Sequence, residues 1–311
     1  MSKFWDFLLM PLGWILEKLT LLFGGNFALA IFFFTLILNV ILIPLSMKTQ
    51  KSSAAQARVK PKLDALKKKY GDDRQRYSME MQKLYQQENV SMSGGCLPLL
   101  IRFPIMIGIY NVVLSPLKYI AGVSTETIEA AGKAVEAQFG KVGNNYLLQP
   151  AIINRIQNGE LTGFDEIANK IKNLDFNFLG IDLTSKPTFN IDIIHHFEWN
   201  WMIPILAFAA AMISSIISIM VQKKVNPDAP NMKGMMLTMP LISLFLGFTV
   251  SAAAGFYWAC SSLIAGGIQA VLQVAYGPGK IIAAEQLKQT HKRVLEENKL
   301  AAAAKNKPVE D

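Results

Sequence analysis

The chain has 311 residues, of which 51% are hydrophobic and 17% charged, with a net charge of +8 and a mean hydropathy of +0.28. These values argue against a purely aqueous domain and predict an all-α polytopic membrane protein with sizeable aqueous parts. Five stretches are apolar and long enough to cross a bilayer: Phe27–Met47, Cys96–Leu114, Trp201–Val221, Met235–Val250 and Ala254–Ala275.

The placement of lysine and arginine predicts the topology, because these residues accumulate in the cytoplasmic loops of membrane proteins. The loop after the first span carries 11 basic residues against 5 acids, whereas the loop between spans two and three carries 7 against 10. The Lys-rich tail after the last span belongs on the same side as the first loop. We therefore expect the N-terminus outside and the C-terminus in the cytoplasm.

The first segment is apolar but interrupted, which favours an amphipathic helix on the outer interface, anchored by Trp5 and Trp14. A sixth span is the alternative, and it would invert the topology. The predicted segments in chain order are the interfacial helix (1–25), span one (26–47), a cytoplasmic helical hairpin (48–93), span two (94–116), an extracytoplasmic loop (117–200), span three (201–222), a cytoplasmic loop (223–234), span four (235–251), span five (252–276) and a basic cytoplasmic tail (277–311).

Two apolar faces at helical spacing, on either side of the Gly71-Asp72-Asp73 turn, predict the hairpin. Its first arm is basic. Lys51, Arg58 and Lys60 are candidates for contacts with lipid headgroups or with an arriving chain. A solvated connector without such contacts is the alternative.

Arg102 lies inside the second apolar stretch, between Pro98 and Pro104. An arginine in mid-membrane costs about 2.5–3.5 kcal/mol on insertion scales, and each proline frees a backbone carbonyl one turn earlier. Both features predict a helix that borders a wet cavity. An arginine that snorkels to the interface or pairs with a buried acid is the alternative.

Other polar side chains in the spans are candidates for lining that cavity. At 1.5 Å per residue, Asn39 lies ~13 Å from the cytoplasmic end of span one and Arg102 lies ~11 Å from that of span two. The two groups therefore reach a similar depth. Ser214, Ser215 and Ser218 in span three are small polar groups suited to close helix contact.

Catalysis inside the membrane would need a nucleophile with a base, a pair of acids or metal ligands at depth. The three histidines, at positions 195, 196 and 291, lie outside the spans, and no carboxylate lies within one. The Cys260-Ser261-Ser262 run indicates helix packing. We therefore predict no enzyme, no metal and no cofactor. Two function classes remain, an insertase for the helices of other proteins and a channel or transporter for small anions.

Several sequence stretches resemble the YidC/Oxa/Alb family of membrane protein insertases. They are GDDRQRYSMEMQKLYQQENVSMSGGCLPLLIRFPIMIGIYNVVLSPL in the hairpin and span two, FLGIDL at residues 178–183, and AGFYW at residues 254–258. The resemblance covers residues 5–280 in one order and spacing, and the chain is similar to the Gram-positive-type members.

This resemblance implies five transmembrane helices around a hydrophilic groove, closed toward the outside and open to the cytoplasm and to lipid. It implies a protein of the bacterial plasma membrane that guides short-tailed transmembrane proteins into the bilayer. Nascent membrane proteins and anionic lipids are its expected partners, the ribosome and the Sec translocon are further candidates, and DNA is not expected. The form implied is a functional monomer.

One departure from the family pattern concerns the groove charge. Family members usually carry an arginine in span one where this chain has Asn39, and a glutamine in span two where this chain has Arg102. Since the two positions reach a similar depth, we expect the groove charge to have moved to the neighbouring helix.

Overall fold

The computed structural model describes residues 3–88, 90, 105, 107–142, 147–188, 198–225 and 233–305. The chain is mostly helical and forms two compact units. The core unit comprises Met1–Ile43, Leu99–Val221 and Ala229–Ala270, and the hairpin unit comprises Pro44–Pro98, Gln222–Asp228 and Val271–Asp311.

The helices and strands follow one another in a simple order along the chain. They are α1 (Lys3–Leu22), α2 (Phe27–Ile41), α3 (Ile43–Tyr70), α4 (Arg74–Gln87), α5 (Pro116–Tyr119), α6 (Thr125–Phe139), α7 (Leu148–Gln157), α8 (Asp165–Ile171), β1 (Asn177–Phe178), β2 (Ile181–Asp182), a 3₁₀ turn (Trp199–Trp201), α9 (Met202–Val225), α10 (Lys233–Gly247), α11 (Ala252–Tyr276) and α12 (Pro278–Lys305). Residues 107–113 are also helical.

Two helical stretches within the described residues pass a test of length and apolar composition for crossing a membrane, Trp199–Met220 and Ala252–Ala302. The pair α2 and α3 passes the same test if it is taken as one broken span. The break falls at Leu42, two residues before Pro44. Proline is tolerated there because it occupies the first turn of α3, where a backbone N–H has no intrahelical acceptor.

Helix α1 packs against α2 and α5 through one face. Leu9, Leu12 and Leu16 are buried at spacings of three and four residues, as one side of a helix requires. Met10 and Trp14 are exposed. The helix thus has apolar residues on both its packed and its exposed surface.

Helices α9 and α11 approach each other along small residues, including the buried cluster of Ala207, Ala210 and Ala259. A Cβ atom placed on Gly255 would lie 2.7 Å from Cγ2 of Ile203. Small side chains allow backbones to come this close, which is the usual way in which membrane helices associate.

The described residues between 116 and 185 form a cap that contains four short helices and one two-stranded hairpin, β1–β2. The cap hydrogen-bonds to the first residues of two long helices. The Asp175 N–H donates to the Gly25 carbonyl and the Phe27 N–H donates to the Asp175 carbonyl, each over 2.9 Å. The Ala252 and Ala253 N–H groups donate to the carbonyls at positions 185 and 183, each over 2.8 Å.

The hairpin unit is built by α3 and α4, whose facing sides bury Val59 and Leu84 together with partly buried Leu63 and Leu66. The Asp73 carboxylate accepts the Arg76 N–H over 3.0 Å and caps α4. Such a cap satisfies one of the donors that a helix start leaves without a partner.

Candidate functional site

A cavity of about 270 Å³ lies within the core unit among the long apolar helices. Side chains from α2, α9 and α11 line it, with apolar contributions from the residues around 107–113. The lining residues are Thr35, Leu38, Asn39, Leu42, Ile105, Ile109, Ser214, Tyr257, Ser261, Ser262 and Ala265. More than half of these residues carry a hydroxyl or an amide group.

The polar residues of α2 are placed by helical spacing. Thr35 and Asn39 stand four residues apart and therefore lie on the same side of the helix. The Thr35 hydroxyl donates to the Ile31 carbonyl over 2.7 Å, and the Asn39 amide donates to the Thr35 carbonyl over 2.9 Å. Both side chains are buried, and these bonds satisfy donors that would otherwise be costly there.

The hydroxyls on the other side of the cavity come from α9 and α11. Ser214 is positioned by close packing, because a Cβ atom on Gly266 would lie 2.9 Å from its Oγ and 3.3 Å from its Cα. Tyr257, Ser261 and Ser262 follow on α11 within two turns. The two helices thus present hydroxyls to the same cavity while their backbones pack closely at Gly266 and Ser214.

The cavity lies about halfway along α9 and α11 and close to the end of α2. Asn39 is 12 residues from Phe27, and Ser214 is 12 residues from Met202, which corresponds to ~18 Å along each helix. Ser261 is 9 residues from Ala252, or ~14 Å. These distances are about half of the ~30 Å hydrocarbon thickness of a bilayer.

Close packing fills the space between the cavity and the cap. Phe27, Ile31, Phe34, Ile203 and Phe256 are all buried in one continuous core. The cap adds its backbone hydrogen bonds to the same helix ends. The cavity is therefore separated from the cap side by packed side chains.

Asp182 organises the part of the cap that holds the start of α11. Its carboxylate accepts the Asn154 amide over 2.7 Å and both the N–H and the hydroxyl of Thr184 over 2.8 and 2.7 Å. The Ser185 hydroxyl donates to the Asp182 carbonyl over 2.6 Å. These bonds orient the backbone whose carbonyls at 183 and 185 receive the first two N–H groups of α11.

The structure brings together two of the groove residues predicted from sequence, Asn39 and Ser214. Ser215 and Ser218 are half-buried and do not line this cavity. Arg102 lies outside the described residues. Which of these residues contact a substrate stays a prediction.

Four further polar lining residues were not predicted, Thr35, Tyr257, Ser261 and Ser262. The helix-packing interpretation of residues 260–262 suits Cys260, which is buried in the core, but the two serines also line the cavity. Their spacing of four and five residues from Tyr257 was the available signal, since it places all three on one broad face of a helix.

The predicted hairpin contacts have different environments. Lys51 is exposed and Lys60 is half-buried. The Arg58 guanidinium donates to the Glu285 carboxylate and to the Glu88 carbonyl, each over 3.3 Å. Arg58 therefore joins the first arm to the end of the second arm and to α12, all within the hairpin unit.

A cleft of about 340 Å³ lies between the two arms of the hairpin. Its floor is apolar and its rim carries three lysines and one acid; the lining residues are Lys62, Ala65, Leu66, Lys69, Glu80, Lys83, Leu84 and Gln87. The hydrogen bond from Lys83 lowers the pKa of the Glu80 carboxyl from its ordinary value. The rim is thus mainly positive.

Lys62 also donates to the Glu88 carboxylate at the end of α4. This hydrogen bond lowers the pKa of Glu88 from its ordinary value, with a smaller contribution from the positive charge of Arg58. The basic arm therefore holds the end of α4 through charged partners.

Within the described residues, no group of three or more histidine, cysteine, aspartate and glutamate side chains is placed to hold a metal ion. The polar groups of the described lining residues are neutral, five hydroxyls and the amide of Asn39. They can hold water and form hydrogen bonds with a polar chain.

A comparison with protein families matches residues 18–277 to the 60Kd inner membrane protein family. The chain belongs to this family. The match covers the cap, the hairpin and the helices around the cavity, so the family relationship extends over both units.

Individual relatives of the 60Kd inner membrane protein family are bacterial proteins. The chain is 26% identical over 262 residues to "Membrane protein insertase YidC 2" of Listeria innocua. This alignment covers 83% of this chain and 68% of the relative. "Membrane protein insertase YidC" of Pseudomonas fluorescens is 42% identical over 108 residues, or 35% of this chain and 19% of the relative. The protein of the same name from Cellvibrio japonicus is 47% identical over 92 residues, or 30% and 17%. The alignments thus span about a fifth of the length of the latter two relatives.

Proposed function

We propose that this protein is a membrane protein insertase, which guides short-tailed transmembrane proteins from the cytoplasm into the bilayer. The observation that carries the proposal is the cavity between apolar helices that is lined by the polar residues Asn39, Ser214, Ser261 and Ser262. Family membership and the names of the relatives support it. The sequence supports an N-terminus outside and a C-terminus in the cytoplasm, so that the cavity would receive its substrate from the side opposite the cap.

The cavity volume fits a polar tail better than a helix. About 270 Å³ is room for several waters, since each water occupies about 30 Å³ of liquid, and it is smaller than most small-molecule pockets of ~300–1,000 Å³. The apolar helix of a substrate would therefore enter lipid directly, where burial stabilises it by about 25 cal/mol per Å². The polar tail would cross through the hydrated cavity, which shortens its path through hydrocarbon.

Arg102 is assigned the positive charge of this path on sequence grounds. Two apolar lining residues, Ile105 and Ile109, stand three and seven residues beyond it. In the sequence, these separations are the ones that place residues on a single face of a helix. At 4 Å, its attraction for an acidic group would be ~1–4 kcal/mol for effective dielectric constants of 80 to 20.

The membrane potential would then move the tail outward. An outside-positive potential favours the outward transfer of a negative charge by ~2.3 kcal/mol per 100 mV. The neutral lining favours release, because a single neutral hydrogen bond contributes only ~0.5–1.5 kcal/mol. No nucleotide, metal or covalent step is required in this mechanism.

The basic cleft of the hairpin suits an early contact with the substrate or with anionic headgroups. Its apolar floor and lysine rim match an amphipathic chain or an anionic lipid surface. Lys51 and Lys60 would add to this surface. Arg58 is proposed to act differently, because its ion pair with Glu285 fixes it within the hairpin unit.

Reconstitution of the purified protein in liposomes with a membrane potential tests the proposal. Protease-protected insertion of a single-span substrate with an acidic tail is measured for the wild type, Arg102→Ala, Asn39→Leu, and the double variant Arg102→Ala with Asn39→Arg. We expect both single changes to reduce insertion strongly and the double variant to recover it. Ser218→Ala is the matched control, because this serine lies on α9 but does not line the cavity.

Three outcomes would contradict parts of the proposal. Insertion by the wild type no greater than in empty liposomes would contradict autonomous insertase activity. Normal insertion by Arg102→Ala would remove the role of that charge. An anion flux through the intact protein without any insertion would instead indicate a channel.

A further inference from the structure

The turn between β1 and β2 carries a leucine where an aqueous turn would carry a small polar residue. Leu179 and Gly180 form the two-residue loop, with φ angles of +51° and +82°. Among the described residues, Leu179 is the one non-glycine residue with a positive φ. Two-residue hairpin loops of this conformation favour Asn-Gly or Asp-Gly, because a larger L-residue is strained there.

The Leu179 side chain also remains 78% exposed. It therefore combines backbone strain with unburied apolar surface. Among the described residues, no packing contact compensates either of them. Such a local conflict is expected where a residue serves a contact outside the chain.

The turn is held rigidly against the start of the long helices. The Trp199 indole N–H donates to the Leu179 carbonyl over 3.0 Å, and a Cβ atom on Gly180 would lie 3.8 Å from that indole nitrogen. Phe178 packs on Phe256 of α11 with ring centroids 4.5 Å apart. The conformation that exposes Leu179 is thus fixed from both sides.

The exposed apolar surface continues from this turn along α9. Trp199 is 54% exposed, and Met202, Ile205 and Leu206 are exposed at spacings of three, six and seven residues from it. These spacings place them on one side of a helix. Because α9 is long and apolar enough to cross a membrane, this side is the surface that lipid would cover.

We propose that the β1–β2 turn is a lipid anchor, in which Leu179 enters the bilayer at its cap-side interface beside Trp199. The partner of the Leu179 side chain is lipid, at the depth where the headgroups meet the acyl chains. Tryptophan is enriched at this depth because its ring is apolar and its N–H polar. The anchor would fix the cap at the membrane surface, a role that is independent of the proposed insertase activity.

Site-directed fluorescence tests the anchor in phosphatidylethanolamine/phosphatidylglycerol bilayers at a ratio of about 3:1. Leu179→Cys is made in a Cys96→Ser, Cys260→Ala background and labelled with an environment-sensitive dye. Lys133→Cys, exposed on α6, is the aqueous control, and Ile205→Cys, exposed on α9, is the lipid control. Quenching by aqueous iodide is compared with quenching by lipids that carry a nitroxide near the headgroup.

We expect the dye at position 179 to be protected from iodide several-fold relative to position 133, and to be quenched by the shallow nitroxide about as strongly as position 205. Iodide quenching equal to that at position 133 would overturn the proposal. It would also be overturned if a photo-crosslinking amino acid at position 179, in the otherwise unmodified chain and in native membranes, formed adducts with protein and none with phospholipid.

Discussion

The attachment of the cap to the start of α2 depends on the absence of a side chain at Gly25. A Cβ atom at this position would lie 1.9 Å from the carbonyl oxygen of Asn173, which is a backbone atom and cannot rotate away. Its neighbour Gly24 has nothing within 4 Å of the same virtual atom. Both glycines have a positive φ, of +92° and +64° respectively. Alanine variants of the two glycines therefore share the backbone strain, and only the variant at Gly25 adds a steric collision.

The magnitudes differ for Gly25→Ala and Gly24→Ala. In both variants the left-handed backbone costs roughly 1–2 kcal/mol, and the lower entropy of the unfolded chain returns about 0.4–1 kcal/mol. Gly25→Ala must also displace the backbone around Asn173 and break the hydrogen bonds between Asp175 and residues 25 and 27. At ~0.5–1.5 kcal/mol for each bond, we expect an additional loss of about 1–3 kcal/mol.

Thermal unfolding in a mild detergent measures this difference. At ~2–4 °C per kcal/mol for a chain of this size or slightly smaller, Gly25→Ala should melt roughly 2–12 °C below Gly24→Ala when both are heated at the same scan rate. The rate is matched because unfolding of a membrane protein is usually irreversible and its midpoint is then kinetic. Equal melting temperatures for the two variants would refute the attachment of the cap at this position.

Three other perturbations test the helix seam and the hairpin unit. Overpacking against Ser214 should lower the free energy of unfolding of Gly266→Ala by about 1–3 kcal/mol. Gly267→Ala should not lower it, because a Cβ atom there has nothing within 4 Å. Thermal melting of the two variants in detergent checks this difference. Arg58→Glu should weaken protection of the hairpin from protease and the added change Glu285→Arg should restore it, with a coupling of ~0.2–1 kcal/mol because both side chains are exposed; an uncoupled pair would contradict the contact. Since the hydrogen bond from Lys62 lowers the pKa of the Glu88 carboxyl from its ordinary value, the stabilisation from this pair is present at neutral pH and is lost as the pH falls through the lowered pKa. The protection factors of the amides at the end of α4, which are corrected for the pH dependence of intrinsic hydrogen exchange, should fall at acid pH in the wild type and not in Glu88→Gln.

Local sequence signals were sufficient to predict the elements whose form depends on near neighbours. The turn at residues 71–73 lies between α3 and α4, and glycine and a capping aspartate are local signals for such a turn. Asn39 and Ser214 stood out because polar residues are conspicuous in apolar helices. The number of membrane spans is not settled by such local signals. The described residues contain two or three candidates, and five remains the prediction from the sequence.

Long-range contacts explain what the sequence did not predict. The role of Asp182 depends on Asn154, 28 residues earlier, and on the start of α11 some 70 residues later. Hydrophobic periodicity shows that Ser261 and Ser262 lie on a helix but not which neighbour they face. Arg58 was predicted as a surface contact because its partner Glu285, 227 residues away, leaves no local signal.

The neutrality of the cavity lining bears on how a substrate would leave it. A second buried charge would bind a complementary tail more strongly, but a pair of opposite charges at 4 Å in a deep interior is difficult to separate. Thr35 and Asn39 direct donors at carbonyls of their own helix, so these donors remain satisfied before a tail arrives and after it leaves. The polar surface can therefore hydrate a passing segment without large reorganisation. The cation proposed at Arg102, opposed by no acid among the described lining residues, would then attract an acidic tail without retaining it against the membrane potential.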